Sequence, residues 1–143
     1  MVINMNGRTA FETLFAVAGG LAGFLFGAAD GLFYALVAFA VLDYVTGVTS
    51  ALIKKELSSR VGFEGLFKKV MVFVLVALAN IIDRQVLGGT EGVLRSAVVA
   101  FLLANEGLSI LENISKAGLP VPKKLRAMLK QIKEDNDFEN KSG

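Results

Sequence analysis

LFYALVAFAVLDYVTGVTSALI (Leu32–Ile53), KKELSSRVGFEGLFKK (Lys54–Lys69) and VMVFVLVALANII (Val70–Ile82) follow one another without a break. The first segment has 22 residues and one charge, Asp43, close to its centre. A surface helix of a soluble domain needs a polar face, so an apolar run of this length is out of place there. A bilayer asks for about 20 such residues, because a helix rises about 1.5 Å per residue across a hydrocarbon core of about 30 Å. The middle segment carries five Lys/Arg against two Glu. Together the three segments predict a transmembrane hairpin with a basic elbow on the cytoplasmic side.

The composition of the whole chain agrees. Of its 143 residues 54% are hydrophobic, and the mean hydropathy is +0.59. Soluble domains usually hold about 45–50% apolar residues. A chain of this length forms one domain, with no room for an enzyme domain beside a membrane part. Cys, His and Trp are all absent. That excludes a disulfide framework, a zinc or haem site of the ordinary His/Cys kind, a Cys nucleophile and a His general base. No Walker A lysine, HExxH, GxSxG or strand-borne GxGxxG occurs. The expectation is therefore a non-enzyme without cofactor, metal or catalytic residues. Basic patches lacking interleaved aromatics do not argue for nucleic acid as a partner.

Upstream of the hairpin, Thr9-Ala10-Phe11-Glu12 fits a capping box, which predicts a helix start at Thr9. The apolar run Leu14–Ala29 makes a first span, closed by an Asp30-Gly31 turn. Only Arg8 precedes it and it is rich in glycine, so it reads as a retained span rather than a cleaved signal. Gly19, Gly23, Gly27 and Gly31 recur every four residues. Such spacing forms a groove for close helix approach, either to the second helix of the same chain or to another copy. Gly19, Gly23 and Gly27, with Gly47, are the candidate packing or oligomer face.

In the second helix, Asp43, Thr46, Gly47 and Ser50 share one face. An ionised carboxylate at mid-membrane costs about 2.5–3.5 kcal/mol on insertion scales, so Asp43 must face protein or water or hold a proton. Either an interhelical hydrogen bond or a pore or oligomer seam accounts for it. The third helix is extended to Leu66–Leu87 to reach a spanning length, with Lys68 and Lys69 snorkelling at its elbow end. Asn80, Asp83 and Arg84 share a face suited to local pairing. If that helix does not span, three spans are the alternative to four. After the Gly88–Gly92 loop, a fourth helix runs from Val93 to Ile114. Its second half brings Asn105, Glu106, Ser109, Glu112 and Asn113 mostly to one face. Asp43, Thr46, Ser50, Asn105, Glu106 and Ser109 form the candidate polar or pore-lining set.

Gly118-Leu119-Pro120-Val121-Pro122 breaks the helix. In KKLRAMLKQIK (Lys123–Lys133), Leu125, Met128, Leu129 and Ile132 line one side and Lys/Arg the rest. That is a short basic amphipathic helix, read either as a solvated tail that sets topology or as a helix for an anionic membrane surface. Glu134–Gly143 is polar and expected to be disordered. The chain so divides into a membrane domain, residues 1–118, and a cytoplasmic tail, residues 119–143. Twelve of fifteen Lys/Arg lie in the elbow and after Ile114. Lys54, Lys55, Arg60, Lys68 and Lys69 are the topology determinants, and four spans then put both termini in the cytoplasm.

These residues carry a resemblance. Leu42-Asp43-Tyr44-Val45-Thr46-Gly47, Lys54-Lys55-Glu56-Leu57-Ser58-Ser59-Arg60, Gly62, Gly65-Leu66, Lys68-Lys69 and an apolar helix ending at Asp83 are similar to the toxin-secretion/phage-lysis holin family. Asn105–Asn113, followed by Gly118–Pro122, resembles that family's C-terminal signature. The likeness covers roughly Leu32 to Leu129; the first helix and the acidic tail lie outside it. It implies a small phage or prophage protein of the bacterial inner membrane. Such proteins self-associate into lesions that release a cytosolic endolysin, or large toxins, at a set time. Dual starts at Met1 and Met5 have a precedent in the family, but no Lys or Arg separates them here. The expected fold is an all-α membrane protein, a bundle of about four transmembrane helices with a short amphipathic C-terminal helix. The expected partners are the lipid bilayer, further copies of the chain and, functionally, an endolysin. The rival readings are a small proton-coupled transporter carrying its proton on Asp43 or Glu106, and a non-conducting membrane scaffold.

Overall fold

The computed structural model describes residues 7–89 and 91–137, and these are helical throughout apart from turns. Met1, Met5 and the polar segment after Asp137 lie outside the described residues. The helices are α1 (Gly7–Phe26), α2 (Gly31–Ile53), α3 (Ser59–Ile81), α4 (Val93–Lys116) and α5 (Lys123–Asp135). A π-helical turn, Ile82–Val86, extends α3. Four of these units, α1, α2, α3 with its π turn, and α4, are long and apolar enough to cross a membrane. The count is four rather than three.

Local chemistry explains most boundaries and corrects some. Asp30 does more than turn the chain: its side chain accepts from the Phe33 amide at 2.9 Å and caps α2. Ser58 does the same for α3 through the Val61 amide at 3.2 Å. So α3 starts at Ser59, seven residues before Leu66, and the true elbow is only Lys54–Ser58. Within it Lys54 closes α2, and Arg60, already helical, pairs with Glu64 one turn on. The capping box at Thr9 is not used. Thr9 lies inside α1, and Glu12 accepts from Arg8 instead, at 3.2 Å. α1 ends at Gly27, whose φ of +76° only glycine adopts without strain. α5 runs on to Asp135, two residues into the segment expected to be disordered.

The hub of the bundle is α4 rather than the α2–α3 hairpin. Both arms of the hairpin, and α5, pack on α4, while α2 and α3 touch each other little. The core joins Leu36 of α2, Val72 and Val76 of α3, and Val99 and Leu102 of α4. Phe26, Phe33 and Phe73 close over its far end, with ring centroids 5.6–6.1 Å apart. The outward surface of α1 to α4 is lined with large apolar side chains, as lipid contact requires.

α1 stands apart. No residue in it is buried, and it lies along α3, not against α2 as the glycine spacing suggested. A Cβ added at Gly19 or Gly23 would meet nothing within 4 Å among the described residues.

Candidate functional site

Two polar layers cross the bundle, one near the elbow and one at the opposite end. The core just described separates them. Arg95 and Glu106 mark their levels on α4, eleven residues apart, or about 16 Å of helix.

The elbow-side layer takes one charged residue from each of three helices. Asp43 of α2 and Glu106 of α4 are 8% and 3% exposed. Lys69 of α3 lies between them, and its ammonium donates to both carboxylates. Lys69 therefore does not snorkel out of the bundle; two buried acids on neighbouring helices hold it inside. Asn113 Nδ2 completes the layer, 3.0 Å from Asp43 Oδ1, 3.2 Å from the Asp43 carbonyl and 3.1 Å from Thr46 Oγ1. Gly47 lies beside it, and a Cβ there would meet the amide nitrogen at 3.4 Å, an ordinary contact. Tyr44 lies over Gly65, whose added Cβ would come within 3.4 Å of the ring. The layer opens on a cavity of about 350 Å³ lined by Asp43, Tyr44, Lys68, Lys69, Ser109 and Asn113. Ser50, also buried, lines an adjoining space with Lys54 and Lys116.

The layer at the other end is built around Arg95, which is 5% exposed. Its Nε donates to the Phe26 carbonyl at 2.6 Å, and Nη2 donates to the Ala28 carbonyl at 2.8 Å. Nη1 donates to Asp30 Oδ2 at 2.9 Å. Asn80 Nδ2 donates to the carbonyls of Phe24 and Leu25 at 2.9 and 3.1 Å. Together they satisfy the last carbonyls of α1, which have no partner within the helix, and a cation at that end complements the helix dipole. Asp83 caps α4 from outside. It accepts from the Leu94 amide at 3.2 Å and the Arg95 amide at 2.7 Å, because Gly92, which precedes the helix, has no side chain. Asn80 thus bonds to the end of α1, and Asp83 to the start of α4. The Arg95 hydrogen bond, with help from the Phe33 amide, holds the Asp30 carboxyl below its ordinary pKa of 3.8.

Asp43, Thr46, Glu106 and Ser109 are brought to one layer. Asn105 is not: its Oδ1 accepts from Lys133 Nζ of α5 at 2.9 Å, on another side of α4. Of the candidate packing glycines, Gly19 and Gly23 face open space, Gly27 makes room for Asn80 and Arg95, and Gly47 lies beside Asn113. Lys69, Asn80, Asp83 and Arg95 build these layers although none belongs to the polar face expected to line a pore. Among the described residues no group of three acids is placed to hold a metal ion.

The comparisons accord with this architecture. The model of the bacteriophage holin family matches residues 20–134. A protein of Bacillus phage phi105 named as a probable holin is 40% identical over 114 residues, covering 80% of this chain and 82% of its own. An uncharacterised protein of Listeria monocytogenes is 43% identical over 111 residues, 78% of each chain. A 14.9 kDa protein from the nagH 3′ region of Clostridium perfringens is 41% identical over 108 residues, 76% of this chain and 81% of its own. No solved structure matches. The chain is a multi-pass membrane protein and belongs to the bacteriophage holin family.

Proposed function

We propose that the protein is a holin of the bacterial inner membrane, with elbow and both termini in the cytoplasm. It self-associates into lesions through which a cytosolic endolysin, or a large toxin, leaves the cell. Membership of the holin family carries this reading, and the layout of a single copy supports it. The two polar layers of one chain are separated by Leu36, Val72, Val76, Val99 and Leu102. A path wide enough for a protein must therefore form between copies. The charge distribution supports the orientation, since twelve of the fifteen Lys/Arg lie in Lys54–Lys69 or after Ile114.

In the mechanism we infer, Lys69 and Asn113 hold Asp43, Thr46 and Glu106 inside single copies or small assemblies, with Ser109 beside them. At high density the helices rearrange, and the same groups turn towards a hydrated lumen. Polar groups in hydrocarbon need partners at every stage, and both arrangements supply them. Asp43→Leu should then insert normally but delay or abolish lysis.

The test is induction in bacteria together with a cytosolic peptidoglycan hydrolase, with membrane potential and hydrolase release followed in time. Sudden depolarisation followed by release supports the holin reading. The buried Asp43–Lys69–Glu106 cluster also suits a proton-coupled transporter, which would export a small substrate without depolarisation. A silent membrane would leave only a scaffold.

A further inference from the structure

The amphipathic helix α5 is not a free tail. It doubles back along α4, where Leu129 sits on Gly107. A Cβ at Gly107 would meet Leu129 Cδ1 at 2.9 Å and Phe39 Cε2 at 3.2 Å, so glycine is what lets this side chain seat. Lys133 adds its bond to Asn105 and lies 5.6 Å from the centre of the Phe101 ring. Only one apolar residue is used up by this docking. Leu129 is 8% exposed, whereas Leu125, Met128 and Ile132 are 44%, 54% and 37% exposed. Beside them Lys123, Lys124, Arg126 and Lys130 form no ion pair among the described residues.

We propose that α5 binds the surface of a bilayer rich in anionic phospholipid, inserting Leu125, Met128 and Ile132 while its free cations meet lipid phosphates. The choice of occupant follows from charge and placement. A second α5 would bring like charge against like charge. The Gly118–Pro122 break, directly after a membrane-spanning helix, keeps α5 at the bilayer. An apolar strip flanked by Lys and Arg is the pattern of helices that lie in the headgroup region. The proposal rests on the chain spanning a membrane, and not on lysis, so it stands or falls apart from the holin reading.

The chain has no cysteine, so Met128→Cys in the full-length protein accepts a single nitroxide label. The labelled protein is reconstituted in vesicles of phosphatidylcholine alone, or of phosphatidylcholine with phosphatidylglycerol. Collision of the label with oxygen and with a water-soluble nickel chelate is then compared. With phosphatidylglycerol the label should move out of reach of nickel and into reach of oxygen. Each cation near an anionic surface favours the bound state about fivefold. Changing Lys123, Lys124, Arg126 and Lys130 to Gln should therefore cut the lipid-bound population more than tenfold. High salt on the otherwise unchanged chain should do the same, which tests the charge dependence without relying on the folding of the Gln variant. Equal accessibility in both lipids overturns the proposal, as does a phosphatidylglycerol effect that neither salt nor Gln reduces. Protection from nickel that appears equally in phosphatidylcholine alone and grows with protein density would overturn it in favour of a second copy.

Discussion

Lys69→Met separates a layer held together by charge from one that is merely packed. In the native bundle one ammonium serves two carboxylates, both nearly out of contact with water. Methionine keeps an unbranched stem of similar reach and removes the charge, so Asp43 and Glu106 face each other with no counterion. Removing one partner of a buried pair costs about 3–5 kcal/mol. Here the adjoining cavity of about 350 Å³ leaves the carboxylates room to move apart, which holds the cost near the lower end, about 3 kcal/mol. Removing an acid is a different perturbation. Glu106→Gln leaves Lys69 and Asp43 as a matched pair, and Asp43→Asn still offers an oxygen to Asn113. Each of these should cost about 1 kcal/mol, the scale of one altered hydrogen bond. The assay is thermal: the fraction of detergent-purified protein left in its monodisperse elution peak after heating. On the scale of soluble domains of similar size, about 3 kcal/mol lowers the midpoint by about 10 °C. Adding Glu106→Gln to Lys69→Met should restore part of that loss, because the two facing carboxylates become one. If Lys69→Met melts within about 2 °C of the native chain, or Glu106→Gln proves the more damaging, charge balance does not hold this layer together.

Gly27→Ala should destabilise the chain by about 1–2 kcal/mol from the left-handed backbone alone. It should cost more because the new Cβ would lie 2.6 Å from Asn80 Oδ1, and the same heating assay reads both effects. Gly19→Leu with Gly23→Leu should leave that midpoint within the range of about ±0.5 kcal/mol typical of surface changes. If α1 is an oligomer face, the same pair should thin the ladder of cross-linked species in membranes, and an unchanged ladder removes the glycines from assembly. Acid stability should report Asp30. Arg95 holds its carboxyl below 3.8, so its stabilising contribution is complete above that pH and is lost as pH falls through the lower folded value. Asp30→Asn should flatten that part of the acid limb in heating curves taken between about pH 2 and pH 5, leaving the neutral plateau sloped as before.

The apolar spans were legible because local composition decides them, although α3 begins at Ser59, seven residues before the expected Leu66. Apolar runs set the span count, and the glycine–proline break set the end of α4. The charged layers depend instead on the register of one helix against another, which composition does not state. Yet part of that register is written in the numbering. Asp43 and Lys69 are each thirteen residues from Glu56 in the elbow, and Leu36 and Val76 are each twenty from it. In an antiparallel pair, equal counts from the turn mean equal depth, at about 1.5 Å per residue on both arms. The structure places both pairs accordingly, Asp43 with Lys69 in the polar layer and Leu36 with Val76 in the core. Such counting would have moved Lys69 from a basic elbow to the neighbourhood of a lone buried acid in need of a cation.

Depth alone does not say which way a side chain points. Asn105 and Glu106 are consecutive and so about 100° apart around α4. One serves Lys133 of α5 and the other Lys69 of α3. Choosing between them requires knowing that α4 is the hub, with neighbours on several sides, and the hairpin reading concealed that. α1 is the opposite case. Gly19 and Gly23 have no neighbour among the described residues to set a register, and no residue of α1 is buried. Its polar attachment is concentrated at the C-terminal end, where Arg95 and Asn80 take the carbonyls that the helix itself cannot satisfy. A helix tied at one polar end and apolar all round can change neighbours without exposing a backbone group, provided that the Arg95 cap stays closed. Arg95 and Asn80 are thus the polar ties between the end of α1 and the bundle, although Arg95 first reads as no more than a stray charge near a loop.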